Sequence, residues 1–454
     1  MFEQLRKMLA QADADYADAR YEVRKDCIVR FDGKELSQVG SNTTDGFVVR
    51  ALKGGGLASV SFTRPEDAGI AVSTAMENAT LIGRNRKSPV TLAPTTPIKD
   101  QFQPPLIEDP RQIPIEEKLE LVRGYNQIPL GNSQIATTIV QYQDVTREKY
   151  FVSTEGSEIR EDLITTRLLG QVVAKSADLT QNLRFARGGS NGFASVRGLD
   201  DYFDERTATA IDMLSAKPIE AGNYRCLLNP HLAGVFAHEA FGHFSEADII
   251  ETLPGMRAKM EIGNRLGSDI LNIKDDATMT GYLGFYKYDD DGVPVRPVQL
   301  IKNGVLAGRL HSRRTAAEFK EPLTGHSIAE DYRFAPIIRM GTIFIEPGVS
   351  SFEELLAELD NGFYFVDPRG GQTAGENFSF GTQYGFEVKN GKLGQMVRDV
   401  NISGNLYTTL KEISAIGSDF ALSKTGGCGK GQANIRSCHG GPHILINNLV
   451  VGGV

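Results

Sequence analysis

The chain has 454 residues, 41% hydrophobic and 23% charged, which is the composition of an ordinary globular protein with room for two or three domains. Acidic residues outnumber basic ones by 57 to 49, and the net charge of −8 argues against a dedicated nucleic-acid binder, which needs a basic surface. No apolar run approaches the about 20 residues of a membrane helix, and the first residues carry no secretory signal. Four cysteines in so long a chain do not make a disulfide framework, so we expect a cytoplasmic protein without a membrane or direct nucleic-acid partner.

The first half of the chain alternates between helix and strand signals. Asp32-Gly33 lies between two apolar runs and predicts a β-hairpin turn. Thr63 and Glu66 have the spacing of a capping box that opens a helix. Seven of the 19 prolines fall within 89–114, where neither a helix nor a central strand can form. In chain order, the predicted elements are a helix over 2–19, strands over 27–31, 46–52 and 57–62, a helix from 63 to about 84, an extended surface crossover over 88–114, a helix over 115–126 and several strands between 134 and 190.

A Gly/Ser-rich stretch, followed by a helix that ends near Lys217-Pro218, marks the predicted domain boundary. We expect an N-terminal α+β domain over 1–217 and a β-rich C-terminal domain over 218–454 that begins with one helix. Within this second domain, Asn303-Gly304 and Asn390-Gly391 predict two further hairpins. The predicted fold class is therefore α+β.

The helix at the start of the second domain carries the most chemical information. Asn229 can cap this helix and Pro230 suits its first position, so the helix should run from about 230 to 250. In the familiar zinc-protease helix, H-E-x-x-H, two histidines at i and i+4 share one face and the glutamate between them acts as a base. Here the chain has an H-E-x-x-x-H arrangement instead, formed by His238, Glu239 and His243.

The longer spacing has a structural consequence. In a regular helix, residues at i and i+5 point about 140° apart, so His238 and His243 could not bind the same metal. Two ligands on one metal require a local widening of the helix, and we predict a π-bulge that is eased by Gly242. The alternative is a buried amphipathic helix without a metal, in which hydrogen bonds satisfy both histidines.

A catalytic zinc needs a third protein ligand and an open position for water. Glu246 and Asp248 are the candidates near the helix, and Cys428 is the distant one. Cys428 lies between glycines and before a lysine, a partly electropositive setting that favours the thiolate. Three further residues of the tail could bind a second metal, although substrate contact or a structural role suits them better: Cys438, His439 and His443.

The sequence around the helix is similar to that of a known family. HEAFGHFSEAD, over 238–248, resembles the H-E-A-x-G-H-x-x-E-x-D motif of the TldD/PmbA family, the "modulator of DNA gyrase" metallopeptidases. The resemblance extends over nearly the whole chain. It includes ADYADARYE (14–22), GFVVRALKGG (46–55), YFVDPRGGQTAGENFSF (364–380), ISAIGSDFAL (413–422) and GGCGK (426–430).

The resemblance implies roles for four residues. His238 and His243 match the metal-binding histidines of the family, Glu239 its catalytic glutamate, and Cys428 its third ligand. The implied metal is zinc, with another divalent transition metal possible. Because every motif residue is present, the resemblance implies the active TldD type, which forms a homodimer or a heterodimer with an inactive TldE/PmbA-type paralogue. The implied substrate is a peptide or an unfolded protein.

The resulting prediction is a zinc-dependent peptidase with Glu239 as general base, and with Glu246 and Asp248 orienting the ligands. One alternative is a dipeptidyl-peptidase III-like enzyme, in which a downstream glutamate replaces Cys428 as third ligand. The other is a non-catalytic regulatory or partner-binding protein with a structural metal site. Residues of a suitable type to stabilise an oxyanion are His311, His326, Tyr332 and Arg333.

Overall fold

The computed structural model describes residues 1–453, and its fold class is α+β, as predicted. The helices are α1 (Phe2–Leu9), α2 (Ala68–Asn85), α3 (Ile115–Leu130), α4 (Asp200–Asp212), α5 (Pro230–Ala240), α6 (Ala247–Thr252), α7 (Pro254–Lys259), α8 (Arg313–Phe319), α9 (Phe352–Leu359) and α10 (Leu406–Thr409). Over the residues described, no helix is both long enough and apolar enough to cross a membrane.

The strands fall into two groups along the chain. The first group is β1 (Tyr16–Asp32), β2 (Glu35–Lys53), β3 (Gly56–Phe62), β4 (Lys99–Phe102), β5 (Ile135–Ser153), β6 (Glu158–Lys175) and β7 (Thr180–Gly189). The second group is β8 (Lys217–Pro218), β9 (Gly222–Leu228), β10 (Ile273–Asp275), β11 (Val298–Lys302), β12 (Val305–Leu306), β13 (Ser327–Ile328), β14 (Ile337–Ile338), β15 (Thr342–Ile345), β16 (Gly362–Ala374), β17 (Asn377–Lys389), β18 (Lys392–Arg398), β19 (Val400–Asn405), β20 (Ile413–Ile416), β21 (Ala421–Leu422), β22 (Cys438–Gly441) and β23 (Ile444–Gly453).

The first group forms one sheet in the order β3-β2-β1-β5-β6-β4, with β7 also paired to β6. Its pairs are antiparallel except for β4, which runs parallel to β6. The strands of this sheet lie within 16–189 and those of the other sheets within 217–453. The domain boundary between 217 and 218 stays a prediction.

The two faces of the first sheet differ in chemistry because apolar and charged residues alternate along β1. Ala17 and Ala19 are fully buried in an apolar core with α1 and α2, and Val29 is fully buried in a second core with α3 and α4. The intervening residues Asp18 and Arg20 are also buried, although they are charged. One face of the sheet therefore packs against helices, and the other buries charge.

The charged face packs against the second half of the chain through ion pairs. Arg50 contacts Asp18 at 2.7 Å and Asp291 at 2.5 Å, so it joins the sheet to the segment 289–291. Arg20 lies 3.2 Å from Asp290 in the same segment. Burial disfavours the charged form of Asp290, but nearby cations, Arg20 among them, outweigh it and lower the pKa of this carboxyl group. The contact between the two halves therefore includes buried opposite charges, beside apolar clusters that contain residues of both halves.

The second half contains two larger sheets and one two-stranded sheet. One larger sheet has the order β12-β11-β10-β15-β22-β21, and β13 pairs with β14 separately. In the other, β16, β9, β23, β19 and β17 follow one another, and β17 pairs back to β16, so the path closes into a ring. The strands β18, β8 and β20 extend this ring.

Helix α5 lies between these two sheets. It packs against β16 and β17 on one side and against β15 and β22 on the other. All residues from Leu232 to Ala240 are buried, as expected for a helix with apolar residues on most of its faces. Gly234 allows α5 to approach β22 closely, since a Cβ atom there would lie 2.5 Å from the backbone of Gly440.

Several predictions in the first half need correction. The helix predicted over 2–19 ends at Leu9, because Ala17 and Ala19 already belong to the alternating pattern of β1. The capping box at 63–66 does not form. Pro65 begins a short 3₁₀ turn instead, and α2 starts at Ala68 without a side-chain cap. The helix predicted over 115–126 continues to Leu130.

The turn predictions were more accurate. The first hairpin forms one residue later than expected, with Gly33 and Lys34 as its turn residues. Asn303-Gly304 and Asn390-Gly391 both form two-residue hairpins, and all four residues have φ between 49° and 75°. The Pro-rich crossover is mostly irregular. It contains one short edge strand, β4, which agrees with the exclusion of proline from central strands.

We expect the Gly234→Ala variant to be less stable than the parent protein. The new methyl group would collide with the Gly440 backbone, and overpacking of this kind typically costs about 1–3 kcal/mol. Gly124→Ala in α3 is the matched control, because it introduces the same methyl group into a helix with no heavy atom within 4 Å, where alanine should add up to about 1 kcal/mol. Thermal unfolding of both variants should give shifts of opposite sign. A parental midpoint for Gly234→Ala would contradict the close contact.

Candidate metal centre

The helix that carries the motif begins as predicted. The Asn229 side chain accepts a hydrogen bond from the backbone N–H of Leu232 at 2.9 Å, and Pro230 occupies the first helical position. The predicted end of the helix was wrong, because α5 stops at Ala240 and Phe241 leaves the helical conformation at φ −139°. A 3₁₀ turn over Gly242–Ser245 follows, then α6.

The predicted π-bulge is therefore absent from the described residues 229–253, and a break in the helix takes its place. Gly242 is required at the break, since a Cβ atom there would lie 2.2 Å from Sδ of the buried Met340. Because the chain leaves the helix at Phe241, His243 returns to the side of His238, and the two ring centroids are 4.9 Å apart. The break produces the convergence that the bulge was expected to produce.

The cysteine predicted as third ligand lies beside these histidines. Sγ of Cys428 is 3.5 Å from Nε2 of His243, and one potential ligand atom from each of His238, His243 and Cys428 lies within 4.8 Å of the others. Two backbone hydrogen bonds hold Cys428 in its loop, because its N–H donates to the Ile435 carbonyl at 3.0 Å and its carbonyl accepts from the Ile435 N–H at 3.1 Å. Cys428 is half-buried rather than exposed.

Two of these three groups, His238 and Cys428, have pKa shifts that favour the form in which they bind a metal. Burial, with smaller contributions from neighbouring cationic groups, lowers the pKa of His238 well below its usual value, so its imidazole is neutral. Nδ1 of His238 is buried, and the described residues provide no hydrogen-bond partner for it. Burial raises the pKa of the Cys428 thiol, but His243 and Arg339 outweigh this effect and lower it. Burial lowers the pKa of His243, but its hydrogen bonds with Cys428 and Glu246 outweigh burial and raise the pKa to about 10, so a metal would have to displace a proton from this imidazole. Two imidazoles and a thiolate are typical zinc donors, so the residues present fit this metal.

The other nitrogen of His243 faces a carboxylate. Oε2 of Glu246 lies 3.4 Å from Nδ1 of His243 and accepts a hydrogen bond from Nζ of Lys430 at 2.9 Å. Arg339 lies 3.7 Å from Oε1. Although burial raises the pKa of Glu246, Arg339 and Lys430 outweigh it and lower the pKa to about 2. Glu246 is therefore ionised and positioned to orient His243 rather than to replace Cys428.

Glu239 is on the same side as the three donors. Its Oε2 lies 3.9 Å from Nε2 of His243 and accepts a hydrogen bond from the Thr373 hydroxyl at 2.7 Å. The neighbouring strand approaches closely because residue 371 is a glycine, where a Cβ atom would lie 2.9 Å from Cγ of Glu239. Strand β16 therefore fixes the position of this carboxylate.

These groups line a cleft of about 680 Å³. Its walls come from α5, the turn after α5, the helices α6 and α7, strand β16 and the Cys428 loop. The lining residues include His439, whose ring centroid is 5.9 Å from that of His238. The polar or charged side chains in the lining are His238, Glu239, His243, Gln372, Thr373, Cys428, Lys430 and His439.

The remaining residues singled out from the sequence have other surroundings. Asp248 binds Lys430 at 2.9 Å and so supports the Cys428 loop. Sγ of Cys438 contacts the Ser423 carbonyl at 2.9 Å, in a buried position. His443 lies between Asp419 at 2.8 Å and the Tyr364 hydroxyl at 3.0 Å.

The four residues considered for oxyanion stabilisation do not line the described cleft, so that prediction was wrong. Each of them contacts other residues outside the cleft. His311 contacts Glu321 at 2.9 Å, His326 contacts Asp275 at 3.0 Å, Tyr332 packs over Gly46, and Arg333 contacts Asp331 at 2.9 Å.

Two residues of the site, Thr373 and Arg339, have no motif of their own, and only the position of Thr373 within the resemblance at 364–380 hinted at a role. His439 was noticed, but nothing in its spacing linked it to His238. The packing of β16 and β22 against α5 brings Thr373 and His439 to the site. Arg339 comes from the segment between β14 and β15.

Three family models match the chain. The PmbA/TldA metallopeptidase domain 1 matches residues 17–79, the central domain matches 108–217, and the C-terminal domain matches 221–453. These matches confirm the resemblance seen in the motif.

Known relatives are similar to this chain in sequence, and solved structures are similar to it in fold. A metalloprotease from Synechocystis sp. is 34% identical over 446 residues, which cover 98% of this chain and 96% of that protein. A zinc metalloprotease TldD homolog from Saccharolobus solfataricus is 34% identical over 347 residues, covering 74% and 76% of the two chains. Among solved structures, a protein described as a modulator of a DNA gyrase from Thermotoga maritima has a TM-score of 0.81 at 20% identity, with 100% of both chains covered. TldE from Thermococcus kodakarensis has a TM-score of 0.75 at 17% identity, with 99% of both chains covered.

The two solved structures are similar in fold alone, whereas the family models and the relatives carry sequence information along the whole chain. On this basis the chain belongs to the PmbA/TldD metallopeptidase family.

Proposed function

We propose that the chain is a zinc-dependent peptidase that hydrolyses unfolded or flexible peptides, with Glu239 as its general base. The observation that carries this proposal is the convergence of His238, His243 and Cys428 in one cleft, with Glu239 beside them. A carboxylate beside three metal donors is the arrangement that metal-assisted hydrolysis uses.

His238, His243 and Cys428 would hold the zinc. Three protein ligands leave a position for water, as in catalytic zinc sites. The relative from Saccharolobus solfataricus is named a zinc metalloprotease, which supports zinc over another divalent transition metal. When bound, the metal supplies Lewis acidity for the scissile carbonyl and lowers the pKa of water.

The remaining steps belong to the protein's own residues. Glu239 takes a proton from the attacking water and later passes it to the leaving amine. The hydrogen bond from Thr373 holds Oε2 of Glu239, so the carboxylate keeps one orientation during both transfers. Glu246 accepts a hydrogen bond from Nδ1–H of His243, which leaves Nε2 available on the side of Cys428.

The shape of the cleft favours an extended chain as substrate. Strand β16 pairs with β9 only over 363–365, and within the described residues its segment 368–374 pairs with β17 alone. The second edge of this segment borders the cleft, and an exposed strand edge can pair with an extended peptide. A cleft of about 680 Å³ holds only a few residues, so the bond to be cut must lie in an unfolded or flexible segment.

We expect Glu239→Gln to abolish peptide hydrolysis while the fold and the zinc content stay unchanged. The amide keeps the shape of the carboxylate but cannot take a proton, and general-base catalysis is typically worth about 10² to 10⁴-fold in rate. Cleavage of a quenched fluorescent peptide measures the effect, with Glu358→Gln on the exposed side of α9 as a matched control. Parental activity in Glu239→Gln would contradict the role of Glu239 as general base.

We expect Cys428→Ala to lose most of its zinc. Two imidazoles alone bind zinc weakly, so the content should fall far below the about one zinc per chain of a complete site. Glu246→Gln should keep zinc at saturation and lose about 10- to 100-fold in affinity, because it alters only the orientation of His243. Elemental analysis measures both.

Cys438→Ala serves as the cysteine control, since Cys438 lies in the same tail and bonds to Ser423 instead. Full zinc in Cys428→Ala together with loss in Glu246→Gln would make Glu246 the third ligand and favour the dipeptidyl-peptidase III-like arrangement.

We further propose a cytoplasmic dimer, formed by two copies or with an inactive TldE/PmbA-type paralogue. Similarity to the fold of TldE supports the second arrangement, and the four free cysteines suit a reducing compartment. Light scattering of the active species should give about twice the 49.6 kDa of one chain. Full activity at the mass of a single chain would contradict the dimer.

A further inference from the structure

A second cavity lies behind the metal cleft. It has a volume of about 440 Å³ and is bounded by the first sheet on one side and by the second half of the chain on the other. Pro368 and His439 line both this cavity and the metal cleft. A substrate that occupies the cleft therefore has the cavity next to it.

The cavity is rich in positive charge, although the whole chain is acidic with a net charge of −8. Among the described residues that line it, Asp367 is the single carboxylate. Asp367 is already paired, because Arg206 contacts it at 2.8 Å and His231 at 3.1 Å. The lysine and arginine residues of the lining are Arg30, Arg184, Arg187, Arg369 and Lys424.

Four of these five cations have no carboxylate partner within 4.0 Å anywhere in residues 1–453, whereas Arg30 binds Asp32. Arg184 donates to the neutral side chain of Gln171 at 3.1 Å. Arg187 lies 3.7 Å from the centre of the Tyr202 ring. Lys424 likewise lies 4.8 Å from the centre of the Tyr282 ring. Because no carboxylate of the described residues pairs with these four cations, the lining is suited to binding an anion.

We propose that this cavity is a carboxylate-binding subsite of the peptidase. It would receive an acidic side chain or the C-terminal carboxylate of a bound peptide, so the enzyme would prefer acidic peptide segments. This inference rests on the proposed function, since it assigns a substrate class to the same site. Arginine suits the role because its planar guanidinium group forms paired hydrogen bonds with a carboxylate, and the Tyr202 ring supports Arg187 from one side.

The first test compares matched peptides. Quenched peptides that differ only in Glu and Asp against Gln and Asn, placed on either side of the scissile bond, are cleaved by the zinc-loaded protein. We expect kcat/KM to be about five- to tenfold higher for the acidic peptide, mainly through KM, as for a partly exposed ion pair remote from the reaction. In the Arg184→Gln, Arg187→Gln double variant this ratio should fall towards one.

Arg123→Gln is the control variant, because Arg123 lies on α3 and pairs with Glu120 outside the cavity. It should keep the preference of the parent. Each peptide, acidic and neutral, is also prepared with a C-terminal amide. A fall in kcat/KM of both peptides on amidation assigns the subsite to the C-terminal carboxylate, whereas a preference for the acidic peptide that persists after amidation assigns it to acidic side chains. Equal kcat/KM for all peptides would overturn the inference while leaving the peptidase proposal intact.

The second test measures binding alone. Fluorescence anisotropy of labelled peptides with the Glu239→Gln protein needs no cleavage, so it decides the inference even if the parent protein cleaves no peptide and the proposed function fails. We expect about five- to tenfold tighter binding of the acidic peptide, lost in the triple variant that also carries Arg184→Gln and Arg187→Gln. Equal binding of the acidic, neutral and C-terminally amidated peptides overturns the inference. Displacement by single-stranded DNA that exceeds displacement by an oligoglutamate of equal charge also overturns it, because the cavity would then suit nucleic acid.

Discussion

Asp18 and Arg20 project from β1 towards the second half of the chain, and their ion pairs with Arg50 and the segment 289–291 are buried. Removing one partner of such a pair typically costs about 3–5 kcal/mol, because the other charge stays buried without compensation. The same sheet also supports the Cys428 loop, since Arg167 of β6 donates to the Gly426 carbonyl. The position of Cys428, the proposed third donor, therefore depends on a contact between halves of the chain that lie far apart in sequence.

The metal cleft and the neighbouring cavity, which a substrate would contact at the same time, are built from different elements of the fold. The break in the helix after α5 brings the residues of the metal cleft together, whereas the edge strand β7 of the first sheet supplies two arginines of the neighbouring cavity, Arg184 and Arg187. His439 lies between them, next to His238 on one side and facing the cavity on the other. In the proposed function, the second half of the chain supplies the chemistry and the first half contributes to the choice of substrate.

The sequence predicted those features whose signal is local. The cap at Asn229, the hairpin at Asn303-Gly304 and the exclusion of the Pro-rich crossover from central strands depend on a few neighbouring residues. The break at Phe241 had no such signal, and the residue that Gly242 packs against there, Met340, is distant in sequence. The sequence also did not reveal that Thr373 lies beside Glu239, because the two residues are distant in the chain. The charged residues of β1 have the pattern of a solvent-exposed face, and their burial depends on the second half of the chain.

The ring of strands in the second half has a consequence for synthesis in the cell. Strand β23, over Ile444–Gly453, lies between β9 and β19 inside that ring rather than at an edge, and β9 leads directly into α5. Until β23 has been translated, β9 lacks one of its two neighbouring strands. Helix α5, which carries His238, then follows a strand that is paired on one side only. A nascent chain would therefore pass through translation before this ring of strands is complete, and a truncated product that lacks β23 would have no closed ring.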